Sequence, residues 1–500
     1  MRAFLITVAA TLLLAGCGAS ASGPERTAGA AGRAAATGHA SRGTSRDWTR
    51  FGYDAARTGD APNGIAARRI GALSERRIAL PGTVDASPIY LAGVRVGGAR
   101  HDLLVMTTTY GITVGLDART GRQLWRFTPA SYGRVAGSAQ ITTATPVADP
   151  SRTYVYAASP DGRIHKLRVR TGREIRSAHW PATLTRDATH EKIASALNVT
   201  GRYVLATTGG YIGDAPPYQG KIVAIDRAGG RVRHVFNSLC SNRRRIIRPS
   251  SCSASDSAIW GRAGAVVDPV DHHVFATSSN GPFDGHVNWG DSIVELSAGA
   301  ARFERHYTPP EQARFERTDT DLGSTSPALL PAPGGGRRTR FLLQGGKDAQ
   351  LRLIPVPGGL HGVHGSAGRR LGGERQILPS PGRQLVFTAP AVQHGHGRTR
   401  AFVATGGGTA GYALRHGRLN VLWQNGTAGT SPVLAGGVLW VYDPRGALDA
   451  YVPGTGRLIR TLSAPSGHWN SPIVAGGRVY LPTGNANQHA TSGSLSIYAG

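Results

Sequence analysis

The sequence predicts an all-β chain, an eight-bladed propeller of four-stranded antiparallel blades whose last blade is closed by an N-terminal strand. Three observations predict it. The 500 residues include 69 Gly and 30 Pro beside 40% hydrophobic residues, a composition suited to many short strands joined by tight turns. A small residue followed by Pro recurs at apparent strand starts. The final repeat ends one strand short, while an unmatched strand precedes the first repeat.

The elements follow in chain order. Residues 1–17 read MRAFLITVAATLLLAGC. Arg2 supplies a positive start, and Ala3 to Leu14 form an apolar stretch too short to span a bilayer. The ending Leu14-Ala15-Gly16-Cys17 resembles the lipobox of bacterial lipoproteins, which makes residues 1–17 a lipoprotein signal peptide and Cys17 its lipidation site. The chain is then expected to be extracytoplasmic, held to the cell membrane by acyl chains rather than by a span. Residues 18–46 are mostly Ala, Gly, Ser, Thr and Arg, with too little apolar surface to fold. They read as a disordered tether with a reach of about 30 Å.

Residues 47–500 carry the repeat. Small-residue–Pro starts occur at Ala86-Ser87-Pro88, Ala144-Thr145-Pro146, Thr325-Ser326-Pro327, Thr388-Ala389-Pro390, Thr430-Ser431-Pro432 and Asn470-Ser471-Pro472. Two further starts lack Pro, at Ile193 to Ala196 and Asp256 to Ile259, giving eight. After Pro88 come Leu103 to Met106, Thr113 to Asp117, a Thr120-Gly121 turn and Leu124 to Phe127, so each unit is four short strands, a propeller blade. The last unit stops at Leu495 to Tyr498, its third strand, and Arg76 to Leu80 stands unmatched before the first start. Pairing the two closes the ring and leaves no open sheet edge.

The cysteines and the charge bound the function. Without Cys17, Cys240 and Cys252 form an even pair, expected to bridge in an oxidising compartment. No Cys-x-x-Cys-His is present, which excludes covalent haem. Formal net charge is +27, but only four of the 57 basic residues are Lys and the Arg clusters are scattered. That is a biased composition with no nucleic-acid motif, so nucleic acid is not an expected partner.

The segment Gly115-Leu116-Asp117-Ala118-Arg119-Thr120-Gly121-Arg122-Gln123-Leu124-Trp125 resembles the repeat of the pyrroloquinoline-quinone (PQQ) dehydrogenase, or quinoprotein, family. Asp47-Trp48-Thr49-Arg50-Phe51-Gly52-Tyr53-Asp54 resembles that family's opening segment. The resemblance implies a propeller of quinoprotein type in which the Trp docks one blade on the next. It also implies site residues. Val274 to Gly281 resembles the blade whose Asn is a Ca²⁺ ligand, here Asn280. Thr318-Asp319-Thr320-Asp321 resembles the segment of the catalytic Asp, a role falling to Asp321 or Asp319. Gln344-Gly345-Gly346-Lys347-Asp348 resembles the segment whose cation contacts the quinone, and Trp260 stands where a Trp stacks under its ring. The expected cofactors of such a site are PQQ and calcium. The family's Glu ligand is missing from Thr208-Gly209-Gly210-Tyr211-Ile212-Gly213-Asp214, where Asp214 substitutes only if the register slips.

The family holds both enzymes and non-enzymes, and fold alone does not choose between them. The first expectation is a non-catalytic binding or assembly module that meets an envelope protein or polymer through its rim. The alternative is a PQQ- and calcium-dependent dehydrogenase of alcohols or sugars.

Overall fold

The computed structural model describes residues 46–334 and 340–500. The expected signal peptide, Cys17 and all but the last residue of the tether lie outside them.

Eight β-sheets follow one another along the chain and form the blades of a propeller. In blade one, strands Ile89–Val96, Ala99–Thr107, Thr113–Asp117 and Gln123–Phe127 run antiparallel in that order. The other first strands are Val147–Ala148, Asn198–Thr200, Val266–Val267, Ala328–Pro331, Ala391–Gly395, Val433–Ala435 and Ile473–Ala475. The blade-four start therefore differs from the sequence expectation. Asp256 to Ile259 form no strand, because this stretch crosses the channel wall before the chain turns into Val266–Val267.

Middle strands are sandwiched between neighbouring blades, so both of their faces are apolar. Leu103, Leu104, Val105 and Met106 are all fully buried. Burying each such side chain is worth about 1.5–3 kcal/mol. Fourth strands face outward, and Ser74–Leu80 is largely exposed apart from Leu80.

That strand closes the ring. It pairs antiparallel with Gly493–Ala499 through an unbroken register from Ser74 opposite Ala499 to Leu80 opposite Gly493. Ser496 Oγ adds a 2.6 Å bond to Glu75 Oε1.

The repeat's Trp and Thr-Gly turn are two halves of one joint. Gly172, in the blade-two turn, has φ +67°, and a Cβ there would lie 2.5 Å from the Trp125 ring of blade one. Only Gly meets both demands without strain. The closing strand repeats the joint with an aliphatic side chain, since Ile78 sits against Gly121 as Trp125 sits against Gly172.

Hydroxyls at the blade starts tie neighbours together around the axis. Thr145 Oγ1 accepts from Ser87 N at 3.1 Å, Ser431 Oγ accepts from Ala389 N at 3.0 Å, and Thr430 Oγ1 donates to Asn470 O at 2.6 Å. Asn470 Nδ2 reaches Val84 O at 2.7 Å and links blade eight to blade one.

Residues 47–61 cross one end of the channel. Their backbone bonds with Tyr90, Ala148, Val267, Val392 and Leu434, on the first strands of blades one, two, four, six and seven. Arg50 and Arg57 donate to blade-three carbonyls. Phe51 packs against Ala196, Ala263 and Ala389 on the axis, so this end is closed.

Candidate functional site

The other end holds a cavity of about 370 Å³. Its wall has a simple origin in the repeat. The residue four places before each first strand is Asp85, Thr143, Ala194, Arg262, Ser324, Phe387, Gly429 or Trp469. Six of these eight line the cavity, all but Ser324 and Gly429. The same position in six of the eight blades therefore faces the cavity.

One pole is acidic and comes from the loops of blades four and five. Asn280 follows strand Val274–Thr277, Asp321 opens the turn Leu322–Ser324, and Lys347 follows strand Arg340–Gly345. Asp321 Oδ1 accepts from Asn280 N at 2.9 Å, and Asp321 Oδ2 pairs with Lys347 Nζ at 2.7 Å. Burial pushes the Asp321 carboxyl up, with Lys347 opposing. Burial works against the Lys347 ammonium, but Asp321 and Asp319 overcome it and raise its pKa. Asp291 is fully buried behind the loop, accepts from Leu322 N at 2.9 Å and fixes the turn.

The opposite pole centres on Asp85. Its buried carboxylate accepts from Arg262 Nη2 at 2.9 Å, His468 Nδ1 at 2.7 Å and Ala486 N at 3.0 Å. Burial alone would raise its pKa, but Arg262 and His468 hold it at about 2. An ionised carboxylate only accepts, so the His468 proton sits on Nδ1 and Nε2 is left for an occupant of the cavity.

Aromatic rings join the poles. Trp260 lies 5.7 Å from Trp469 and 6.2 Å from Phe387, and Phe387 stacks on Trp469 at 5.2 Å. His468 stacks on Trp469 at 4.0 Å, and the Arg262 guanidinium lies 5.0 Å over the same ring. The site thus offers flat apolar faces with cations at the edges, among them Lys192, Arg262 and Lys347.

The structure brings Trp260, Asn280, Asp321 and Lys347 to this one cavity. Asp319 is not part of it. Its side chain is 59% exposed, and it meets Lys347 from outside at 3.0 Å. Sequence reasoning missed Asp85, Lys192, Arg262, Phe387, His468 and Trp469. The fixed offset before the Pro-marked starts is the signal that finds Asp85, Phe387 and Trp469, while the misread blade-four start hides Arg262.

Cys240 and Cys252 are bridged. The bridge staples an insertion after strand Val232–Asn237 that exposes Arg243, Arg244, Arg245 and Arg248. In the Gly-rich segments of blades five and six, His361 Nε2 bonds Gly372 O at 2.8 Å and His394 Nδ1 bonds Thr399 Oγ1 at 2.8 Å.

Comparisons with known proteins agree with this architecture. A family model described as outer membrane protein assembly factor BamB matches residues 76–261. The quinohemoprotein alcohol dehydrogenase of Comamonas testosteroni superposes with a TM-score of 0.64 at 15% identity, covering 91% of this chain and 80% of that one. The chain is an eight-bladed β-propeller similar in fold to these proteins. A europium-containing methanol dehydrogenase shares the propeller at TM-score 0.64 and 14% identity, over 92% of this chain and 98% of that one. The dehydrogenase subunit of the quinone alcohol dehydrogenase of Komagataeibacter europaeus is 23% identical over 290 residues, 50% of this chain and 38% of the relative. That of Acetobacter aceti is 24% identical over 265 residues, 46% and 33% of the two chains. The propeller thus matches little more than a third of these relatives' length. Such identities carry the fold and not the activity.

The two expected cofactors fit the cavity differently. PQQ is a flat, aromatic polyanion, and the aromatic wall with Lys192, Arg262 and Lys347 matches that chemistry. Calcium takes about six to eight oxygen ligands. Among the described residues no three acidic, His or Cys side chains gather to hold a metal. Asp321 has both oxygens engaged, and Asp214 Oδ1 accepts from Tyr218 Oη at 2.8 Å. The donor set does not fit Ca²⁺.

Proposed function

We propose that the chain is an extracytoplasmic, lipid-anchored binding module of the cell envelope whose cavity holds a flat, anionic ligand of the quinone-cofactor class without calcium. The observation that carries this is the closed Asp321–Lys347 pair facing an aromatic, cation-edged wall. Lys347 occupies the oxygen that a divalent cation would need.

The Leu14-Ala15-Gly16-Cys17 sequence supports anchoring to the membrane through Cys17, and the Cys240–Cys252 bridge suits an oxidising compartment. The exposed Arg243, Arg244, Arg245 and Arg248 suit a rim contact with an acidic envelope protein or polymer. Such a contact weakens as salt is raised and is lost when the four are changed to Ser, which a binding isotherm against an anionic wall polymer reads.

Equilibration with PQQ followed by desalting tests the cavity. The expected result is retained quinone absorbance, equal in Ca²⁺ and in chelator, with no dye reduction by alcohols or sugars. No retention at saturating PQQ overturns the reading.

A second reading, a dehydrogenase, is favoured by the convergence of Trp260, Asn280, Asp321 and Lys347. In it Asp321, pushed up by burial, accepts the alcohol proton. Calcium-dependent dye reduction that Asp321→Asn abolishes, with quinone still retained, would select it.

A further inference from the structure

Three of the four lysines are tied. Lys166 Nζ donates to the carbonyls of Arg227 and Ala228, Lys221 pairs with Glu191, and Lys347 pairs with Asp321 and Asp319. The fourth is Lys192, on the short strand Lys192–Ile193 opposite Gly209, and it lines the central cavity. Among the described residues its Nζ has no ion pair and no hydrogen bond. Its neighbour is the face of Tyr211, with 5.8 Å from Nζ to the ring centroid.

Two features of the wall act on this amine. Lys192 is half-buried in the cavity wall, and Arg262 is a second cation on the same wall. The carboxylates that offset them only in part are Asp85, committed to Arg262, His468 and the Ala486 N–H, and Asp214, which accepts from Tyr218 Oη. Burial first, and Arg262 second, bring the Lys192 pKa down to about 8. Half of the amine is then neutral in mildly alkaline solution, with its lone pair available. A desolvated lysine beside another cation is an activated nucleophile toward carbonyl carbon.

We infer that Lys192 forms a reversible imine with the carbonyl carbon of a flat, anionic ligand seated in the central cavity. This rests on the binding reading above and adds the ligand's reactive group. The step balances without an oxidant. The Nζ lone pair adds to the carbonyl carbon, the C=O bond is replaced by C=N, and both protons of the neutral amine leave with the oxygen as one water. Arg262 and Lys347 hold anionic substituents of the ligand, and Trp260, Phe387 and Trp469 cover its faces.

Pyridoxal 5′-phosphate, a flat anionic aromatic aldehyde, is the probe. The full protein is incubated with it, reduced with borohydride, and mapped by mass spectrometry. With four lysines in the chain, every lysine is read separately. The expected result is labelling of Lys192 about tenfold above each of the other three, with a midpoint near pH 8, slowed by PQQ and lost in Lys192→Arg. Label spread evenly, absent from Lys192, or rising only above about pH 10 overturns the inference. These readings are made on the unaltered protein, so they hold if the variant fails to fold. PQQ retention is measured in parallel. Retained quinone with no label on Lys192 overturns the imine and leaves the binding reading intact. Label on Lys192 with no retained quinone supports the imine and overturns that reading.

Discussion

His468 Nδ1 donates to Asp85 Oδ2 at 2.7 Å, across 383 residues of chain. The bond joins the last blade to the first at the wall of the cavity.

The Asp85 carboxyl sits at about 2 in the folded chain, against about 4 when unfolded. A depressed carboxyl stabilises fully above its unfolded value and loses that contribution as pH falls through its folded one. About 2 kcal/mol is then lost between roughly pH 4 and 2. Asp85→Asn should lack that share of the acid dependence. Urea denaturation from pH 2 to 7 on both proteins checks it, and parallel stability curves would sink the assignment.

A chain beginning at Thr83 lacks Ser74–Leu80 and leaves Gly493–Ala499 as an open edge. It should show no cooperative melt by calorimetry. A transition matching the full protein would refute closure by this strand.

Gly172→Ala places a Cβ at positive φ and against the Trp125 ring. The strain costs about 1–2 kcal/mol and the crowding about 1–3 more. Gly137 has φ +82° with nothing within 4 Å of a built Cβ, so Gly137→Ala should cost the strain alone. Equal losses for the two in denaturant titrations would remove the joint from the account.

Lys347→Met leaves the Asp321 carboxylate buried without its cation, at a cost of about 3 kcal/mol near pH 7. Burial raises this carboxyl in the fold, so the penalty belongs to the charged form and shrinks as pH falls. Asp319→Asn, at an exposed side chain, should change stability by less than about 0.5 kcal/mol. Thermal melts at pH 5 and pH 8 separate these cases.

Much of the fold was legible because its signals are short. Thr120-Gly121 needs one turn, Ser87-Pro88 needs one strand start, and Arg76 to Leu80 needs only a missing partner. The blade-four start was misread because it lacks Pro, and Asp256 to Ile259 has the small polar look of a start without its strand. Asn280, Asp321, Trp260 and Lys347 were legible through a resemblance that runs across two adjacent blades. Arg262 and His468, the partners of Asp85, were not, because each looks ordinary in its own segment. They meet only when the ring brings blades one, four and eight to one wall. Lys192 was invisible for a related reason, since what distinguishes it is the partner it lacks.

The seam between first and last blades also has a temporal meaning. Ser74 is synthesised 425 residues before Ala499, the partner whose carbonyl it meets. A nascent chain must therefore keep an unpaired edge waiting through nearly the whole of translation, and the Asp85–His468 contact arises only once the final blade has been made. Capture of the proposed ligand is for that reason a readout of completed assembly: no fragment released early has the pocket to fill.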